Sequence, residues 1–330
     1  MLAETEKKTV NSILDSQRKD GEARSILQDL EKLISLKGER KLRWVWELIQ
    51  NAKDCATGGR KVNVNFILTK DKVVFEHDGE PFQIEHLIAL ARKTSTKSIE
   101  GVDGNTGKFG TGFVTTHVLN RKVIVSGLLQ NEDGCRQFRL LIDRSSDTLP
   151  GITQSLQSIY ERIDEINSEP PIAQIEGIKT AYEYDLEEYR FSVAKEGLKE
   201  LERNLPFTLL INNEQIQSVS ITDENGITVS FSIDSPRTVF GEISFFKITK
   251  TGSNHSPTEA GLLFAQTDKL IIAFPTYATG ATYSLIPIKE QARIFRNFPL
   301  IGTETFHLPC IIHSHLFQPT EPRDGIRTLK

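Results

Sequence analysis

Cysteine is scarce in this chain. Cys55, Cys135 and Cys310 are odd in number, far apart and without C-x-x-C spacing. This speaks against a disulfide framework and against a zinc site of the usual ligand spacing, and it fits a reducing compartment. No run of about 18 apolar residues occurs, so no membrane-spanning helix is expected. The opening residues M-L-A-E-T-E-K-K lack the apolar core of a secretory leader, which makes the cytoplasm the expected location. An excess of one charge is missing too. The formal net charge is -4, so wholesale electrostatic attraction to nucleic acid is not indicated. A G-x-S-x-G elbow is also absent, which sets aside serine-hydrolase chemistry of that type.

The balance of 38% hydrophobic and 25% charged residues is that of a soluble globular protein, and 330 residues suit two domains. Helical spacing of Ile26, Leu27, Leu30, Leu33 and Ile34, then of Trp44, Val45, Leu48, Ile49 and Ala52, predicts two helices parted at Gly38 and ended by Gly58-Gly59. Val62, Val64, Phe66 and Leu68 alternate as in a half-buried strand, and a turn at Lys70-Asp71 leads to a partner over Val73–Phe75. Further helices are expected over Ile84–Arg92, Gly112–Leu119, Ile152–Ile166 and Val193–Arg203, and strands over Lys122–Ser126, Gln137–Asp143 and Thr180–Leu186.

The implied class is α+β, with helices on one side of a largely antiparallel sheet. A turn at Asn204–Pro206 is the expected boundary between a first domain, residues 1–204, and a β-rich second domain, residues 205–330. Turns are expected in the second domain at Asn212-Asn213, Asn225-Gly226 and Thr267-Asp268. The final R-D-G-I-R-T-L-K has no terminating element, so a longer parent protein is expected.

Two stretches carry chemistry. Glu47, Asn51 and Asp54 fall at i, i+4 and i+7, on one helix face. That stripe is either a solvated surface or a carboxylate and an amide aimed together at a ligand. A carboxylate can orient and deprotonate water, and an amide oxygen is a hard ligand suited to magnesium. The second stretch is G-K-F-G-T-G-F, Gly107 to Phe113, leading into a helix. Glycines let backbone amides approach phosphate oxygens, and a helix start favours anions. The P-loop pattern fails here, because Gly101 and Gly107 enclose five residues and Lys108 is followed by Phe109. The dinucleotide order G-x-G-x-x-G fails as well, since the order is G-x-x-G-x-G. Lys93, Thr94, Ser95, Thr96 and Lys97 nearby suit phosphate better than a bland loop requires.

These stretches, in this order, resemble motifs of the GHKL ATPase superfamily, which includes gyrase-type topoisomerases, ninety-kilodalton heat-shock chaperones, histidine kinases and MutL. E-L-I-Q-N-A-K-D at Glu47–Asp54 is similar to the first motif, which implies Glu47 as general base and Asn51 as magnesium ligand, with Asp54 beside the nucleotide. E-H-D-G-E-P-F at Glu76–Phe82 resembles the adenine motif, D-x-G-x-G. Spacing from Gly79 puts His77 in the adenine-reading seat, whereas chemistry favours Asp78, and the choice stays open. Gly107, Lys108, Phe109, Gly110, Thr111, Gly112 and Phe113 resemble the glycine motif of the ATP lid, with Lys97 as a further phosphate contact. G-I-K-T-A-Y resembles the fourth motif and implies Thr180 near the base.

Within the superfamily, F-R-N-F-P-L-I-G-T-E-T-F-H-L-P and L-F-Q-P-T-E-P-R-D resemble sacsin-like bacterial ATPases, and Arg323 is the implied γ-phosphate contact from the second domain. The resemblance implies a Bergerat-type α/β sandwich followed by a transducer-like domain. It further implies ATP and magnesium as ligands, hydrolysis to ADP and phosphate, and lid closure that changes conformation or drives homodimerisation. An unidentified protein partner or C-terminal effector, and a role in bacterial defence or chaperone-like remodelling, are implied in the same way.

Other classes compete. An autophosphorylating kinase needs an acceptor histidine upstream, and none precedes His77. A nucleotide-binding regulatory module without turnover is the alternative to the ATPase. Arg40, Lys41 and Arg43 read as a solvated basic helix end. His313-Ser-His315 offers two imidazoles on one strand face, one ligand short of a usual metal site.

Overall fold

Alternation decides which residues of the central strands meet the helices. In the computed structural model, which describes residues 10–35, 38–92, 112–252, 255–279, 282–320 and 325–327, Val62, Val64, Phe66 and Leu68 of β1 (Val62–Leu68) turn to one face and are buried. β2 (Lys72–His77) returns antiparallel, with Val64 opposite His77 and Leu68 opposite Val73, and buries Val73, Phe75 and His77 on that same face. β5 (Thr180–Asp185) lines the other side of β2, with Thr180 opposite His77 and Tyr182 opposite Phe75. β3 (Lys122–Asn131) and the hairpin partner β4 (Gly134–Asp143) complete this edge.

From the far side of β1 the sheet continues without a break. β6 (Ile216–Thr222) runs parallel to β1, followed by β7 (Thr228–Ile233), β9 (Ile243–Gly252), β10 (His255–Gln266) and β11 (Ile271–Thr279). β8 (Arg237–Phe240) pairs with β9, and β12 (Thr282–Leu285) with β11. Short strands β13 (Ile294–Arg296), β14 (Phe298–Pro299) and β15 (Ile311–His313) close the end, β13 and β15 running parallel. The sheet is therefore mixed and mostly antiparallel.

Six α-helices occur among the described residues: α1 (Val10–Ile34), α2 (Trp44–Asp54), α3 (Ile84–Arg92), α4 (Gly112–Thr115), α5 (Leu149–Ser168) and α6 (Glu188–Ile211). Buried residues of α2, α3, α5 and α6 join the buried strand face in one hydrophobic cluster. Trp44 of α2 meets Phe66 of β1 edge-on, ring centres 6.1 Å apart. The opposite face of these strands carries ion pairs instead, Lys72–Glu183 at 3.2 Å and Arg139–Glu183 at 3.3 Å among them. Such partly solvated pairs contribute little to stability. The class is α+β, and no described helix is long and apolar enough to cross a membrane.

The helix expected over 193–203 runs from Glu188 to Ile211, straight through the turn predicted at Asn204–Pro206. Tertiary contacts override the local turn signal. Asn204 is buried, its Nδ2 donates to Glu200 Oε1 at 2.6 Å, and its Oδ1 accepts from the Ala292 N–H at 2.9 Å. Leu205, Phe207, Leu209 and Leu210 are buried beside it, which offsets the roughly 3 kcal/mol that a proline costs inside a helix. Residues 204 and 205, where the sequence suggests a domain junction, thus sit within one helix, and the hydrophobic cluster draws on both sides of it.

Gly197 of α6 lies against Trp44. A Cβ there would stand 2.8 Å from Cε2 and 2.9 Å from Cζ2 of the indole. Gly197→Ala should lower stability by about 1–3 kcal/mol through overpacking. The measurement is a urea midpoint followed by tryptophan fluorescence, with the m-value expected to stay constant.

Candidate functional site

α2 carries apolar residues on the side that enters the core, which leaves Glu47, Asn51 and Asp54 to face elsewhere. Glu47 is nonetheless buried, at 7% exposure. Its Oε1 accepts a hydrogen bond from Arg43 Nη2 at 3.0 Å. Its Oε2 abuts Gly112, the first residue of α4; a Cβ on Gly112 would collide with that oxygen and come within 3.2 Å of Cδ. Only glycine admits this approach. One turn along α2, Asn51 is half-buried, and its amide makes no hydrogen bond to the described residues. Asp54, at the last turn, is also half-buried.

The far end of α2 meets the end of β2. A Cβ on Gly79 would stand 2.6 Å from the Cβ of Cys55, so glycine is again required for the approach. His77 is 1% exposed, and its Nδ1 accepts the Gly79 N–H at 3.2 Å. The ring proton therefore resides on Nε2 at neutral pH, and Nε2 has no partner among the described residues. Burial pushes this imidazole down to about 4, against the weaker opposing pull of Asp78, so it is uncharged at pH 7.

Asp78 turns to the opposite face of the sheet. Its Oδ1 accepts from the Asn63 N–H at 2.7 Å and its Oδ2 from Asn63 Nδ2 at 2.8 Å, with Arg60 Nη2 at 3.9 Å. Burial works against its ionisation, but the Asn63 hydrogen bonds and Arg60 outweigh it and hold the carboxyl below its ordinary value. Of the two residues the sequence leaves open, His77 faces the helices and Asp78 does not. Thr180 shares the face of His77 as its cross-strand partner, is 4% exposed, and has a hydroxyl without a partner among the described residues.

Phe113 is buried in the main cluster and stands 5.9 Å from the ring of Tyr182 and 5.4 Å from that of His117. Lys97, Gly107, Lys108, Phe109, Gly110, Thr111 and Arg323 lie outside the described residues. Two neighbours of the site escape the sequence reading. Arg43, read as part of a solvated basic helix end, is half-buried and bonded to Glu47. Gly127 of β3 leaves room beside Thr180, where a Cβ would stand 3.2 Å from Oγ1. A glycine inside the apolar run V-I-V-S-G-L-L is the signal that could have marked it, since glycine in a strand interior often records a close approach.

Among the described residues no cluster of three or more His, Cys, Asp or Glu side chains could hold a metal. His313 is buried with Nδ1 3.2 Å from the Phe295 carbonyl, while His315 is exposed beyond the end of β15, so the two do not form a site. No protein-family model matches the chain, and no curated protein matches it.

Burial, the largest cause in each case, pushes His77, His117 and His313 down to about 4, 3 and 4 from an ordinary 6.5. The unfolded chain therefore binds more protons than the fold as pH drops. The contribution is complete above about pH 6.5 and is lost as pH falls towards 4, on the order of 2 kcal/mol per histidine at pH 5. Urea midpoints should fall steadily between pH 7 and pH 5. A flat profile in that window would show that these rings are not held neutral.

Proposed function

We propose that the chain binds a purine nucleoside triphosphate, ATP by its sequence resemblance, together with magnesium, and hydrolyses it to ADP and phosphate. In this reading the first half is a Bergerat-type nucleotide-binding layer and the second half a transducer. The observation that carries it is the Glu47 carboxylate seated against Gly112. The two stretches that suit water activation and phosphate binding meet at that point, although they are remote in sequence.

Glu47 has one oxygen engaged by Arg43 and the other turned to the start of α4. The free oxygen would orient a water and take its proton as that water attacks the γ-phosphorus. The bond to the ADP oxygen then breaks. General-base help of this kind is worth about 100- to 10,000-fold. Arg43 donates to the carboxylate and fixes its rotamer, a positioning role.

Asn51 suits a magnesium ion, because its amide is half-buried and unpartnered among the described residues, one turn from the base. Magnesium usually takes one or two protein oxygens and fills its shell with waters and substrate phosphates, so a single amide beside the phosphates suffices. When bound, the ion supplies charge neutralisation on the phosphates. Lys97, Lys108 and Arg323 are the proposed cations around the transferred group.

Coupling to the second half is supported by the other side of α2. Trp46 stands 6.3 Å from the ring of Phe298, and Lys53 Nζ lies 5.9 Å over it. The intervening Asn297 holds φ at 64, and its carbonyl accepts from Asn212 Nδ2 at 2.8 Å. A shift of α2 on nucleotide binding would be felt at β13 and β14, and through them in conformational change or dimerisation.

Phosphate release tests the reading. Wild type should release phosphate from magnesium-ATP. Glu47→Gln should cut the rate by about 100-fold or more while ATP binding is kept. Gly112→Ala should behave alike, since its methyl group displaces the same carboxylate. ATP binding by wild type without any release would assign the chain to nucleotide sensing instead.

A further inference from the structure

The β2–β5 end of the site holds two buried polar groups whose hydrogen-bonding capacity the protein leaves unused. His77 spends Nδ1 on the Gly79 N–H, so what it presents is an Nε2–H donor. The hydroxyl of Thr180 can donate or accept. The two residues are direct partners on adjacent antiparallel strands and share the buried face, which brings their Cβ atoms to about 5 Å of each other. Asp78, the neighbouring carboxylate, cannot serve, because both its oxygens are bonded to Asn63 on the other face of the sheet.

A ligand therefore meets a neutral donor beside a hydroxyl, with the Asp78 carboxylate turned away. Adenine can accept from His77 Nε2 at N1 and donate its 6-amino group to the Thr180 hydroxyl; a carboxylate in the place of His77 would take that amino group and repel an oxygen at position 6. A 6-oxopurine offers an oxygen at position 6 and an N–H at position 1. The oxygen can accept from His77 Nε2, and the N–H can donate to the Thr180 hydroxyl. The uncharged character of this end, against the carboxylate and arginine at the Glu47 end, suits a base and not a phosphate.

We infer that the base end of the site reads a hydrogen-bond acceptor through His77 and takes guanine or hypoxanthine nucleotides as readily as adenine ones. This rests on the nucleotide reading of the site. Gly127 belongs to the same device, since a side chain there would crowd the Thr180 hydroxyl.

Isothermal titration of the full chain with magnesium and ATP, GTP or ITP tests it. GTP and ITP should bind about as tightly as ATP. His77→Asp exchanges the donor for an acceptor and should move the ITP-to-ATP preference towards ATP by about tenfold, the worth of one good hydrogen bond. Circular dichroism checks that the variant folds. If it does not, purine riboside triphosphate, which lacks both the 6-oxygen and the N1–H, replaces it as the probe and should bind wild type about tenfold more weakly than ITP.

Binding of ATP with clearly weaker GTP and ITP would overturn the base assignment and leave the nucleotide reading standing. So would an unchanged preference in a folded His77→Asp. Failure of all the triphosphates to bind would remove both.

Discussion

A buried carboxylate must keep hydrogen-bond partners or give up its charge. Glu47 meets that demand with Arg43 on one oxygen, while the absence of a side chain on Gly112 leaves room for the other. The arrangement constrains three elements at once. The turn of 3-10 helix that ends at Arg43 must lead directly into α2, α2 must present Glu47 on the face away from Leu48 and Ile49, and α4 must begin with a glycine. Replacing any one of these leaves an unpaired buried charge or a steric clash.

The other end of α2 shows the same economy. Gly79 lets the turn after β2 close on Cys55, and the backbone N–H of that turn sets the His77 tautomer. Strand alternation then sorts the two neighbouring candidates, with His77 joining Val73 and Phe75 on the helix face while Asp78 ties β2 to β1 through Asn63 on the outer face. The helix thus spans two chemically different ends, a charged one at Glu47 and an uncharged one at His77, while its third side leans on Phe298 of the second half.

Much of this order was legible in the sequence. Period-3.6 spacing marked α2, alternation marked the β1–β2 hairpin, and Gly226 sits at its expected turn with φ 78. What local pattern could not supply were the long-range decisions. Asn204 and Pro206 read as a turn because those residues favour turns, yet a hydrogen bond to Ala292 and four buried apolar neighbours keep them helical. The parallel pairing of β1 with β6 joins segments separated by α3, α4, α5 and α6, and no local signal announces it. Which of His77 and Asp78 faces the helices was accessible, because counting by two from Val73 puts His77 on the buried face. Arg43 was hidden by its basic neighbours, since a charge run looks solvated until one member is seen to have a buried partner.

The central claim is that α2 and the start of α4 face one bound triphosphate and its metal. Manganese can replace magnesium beside ATP and broaden the NMR signals of nearby groups. The account predicts selective broadening of the Asn51 side-chain amide and the Gly112 backbone amide, with the distant Gly226 amide unaffected. Broadening that spares Asn51 and Gly112 while other regions respond would contradict it.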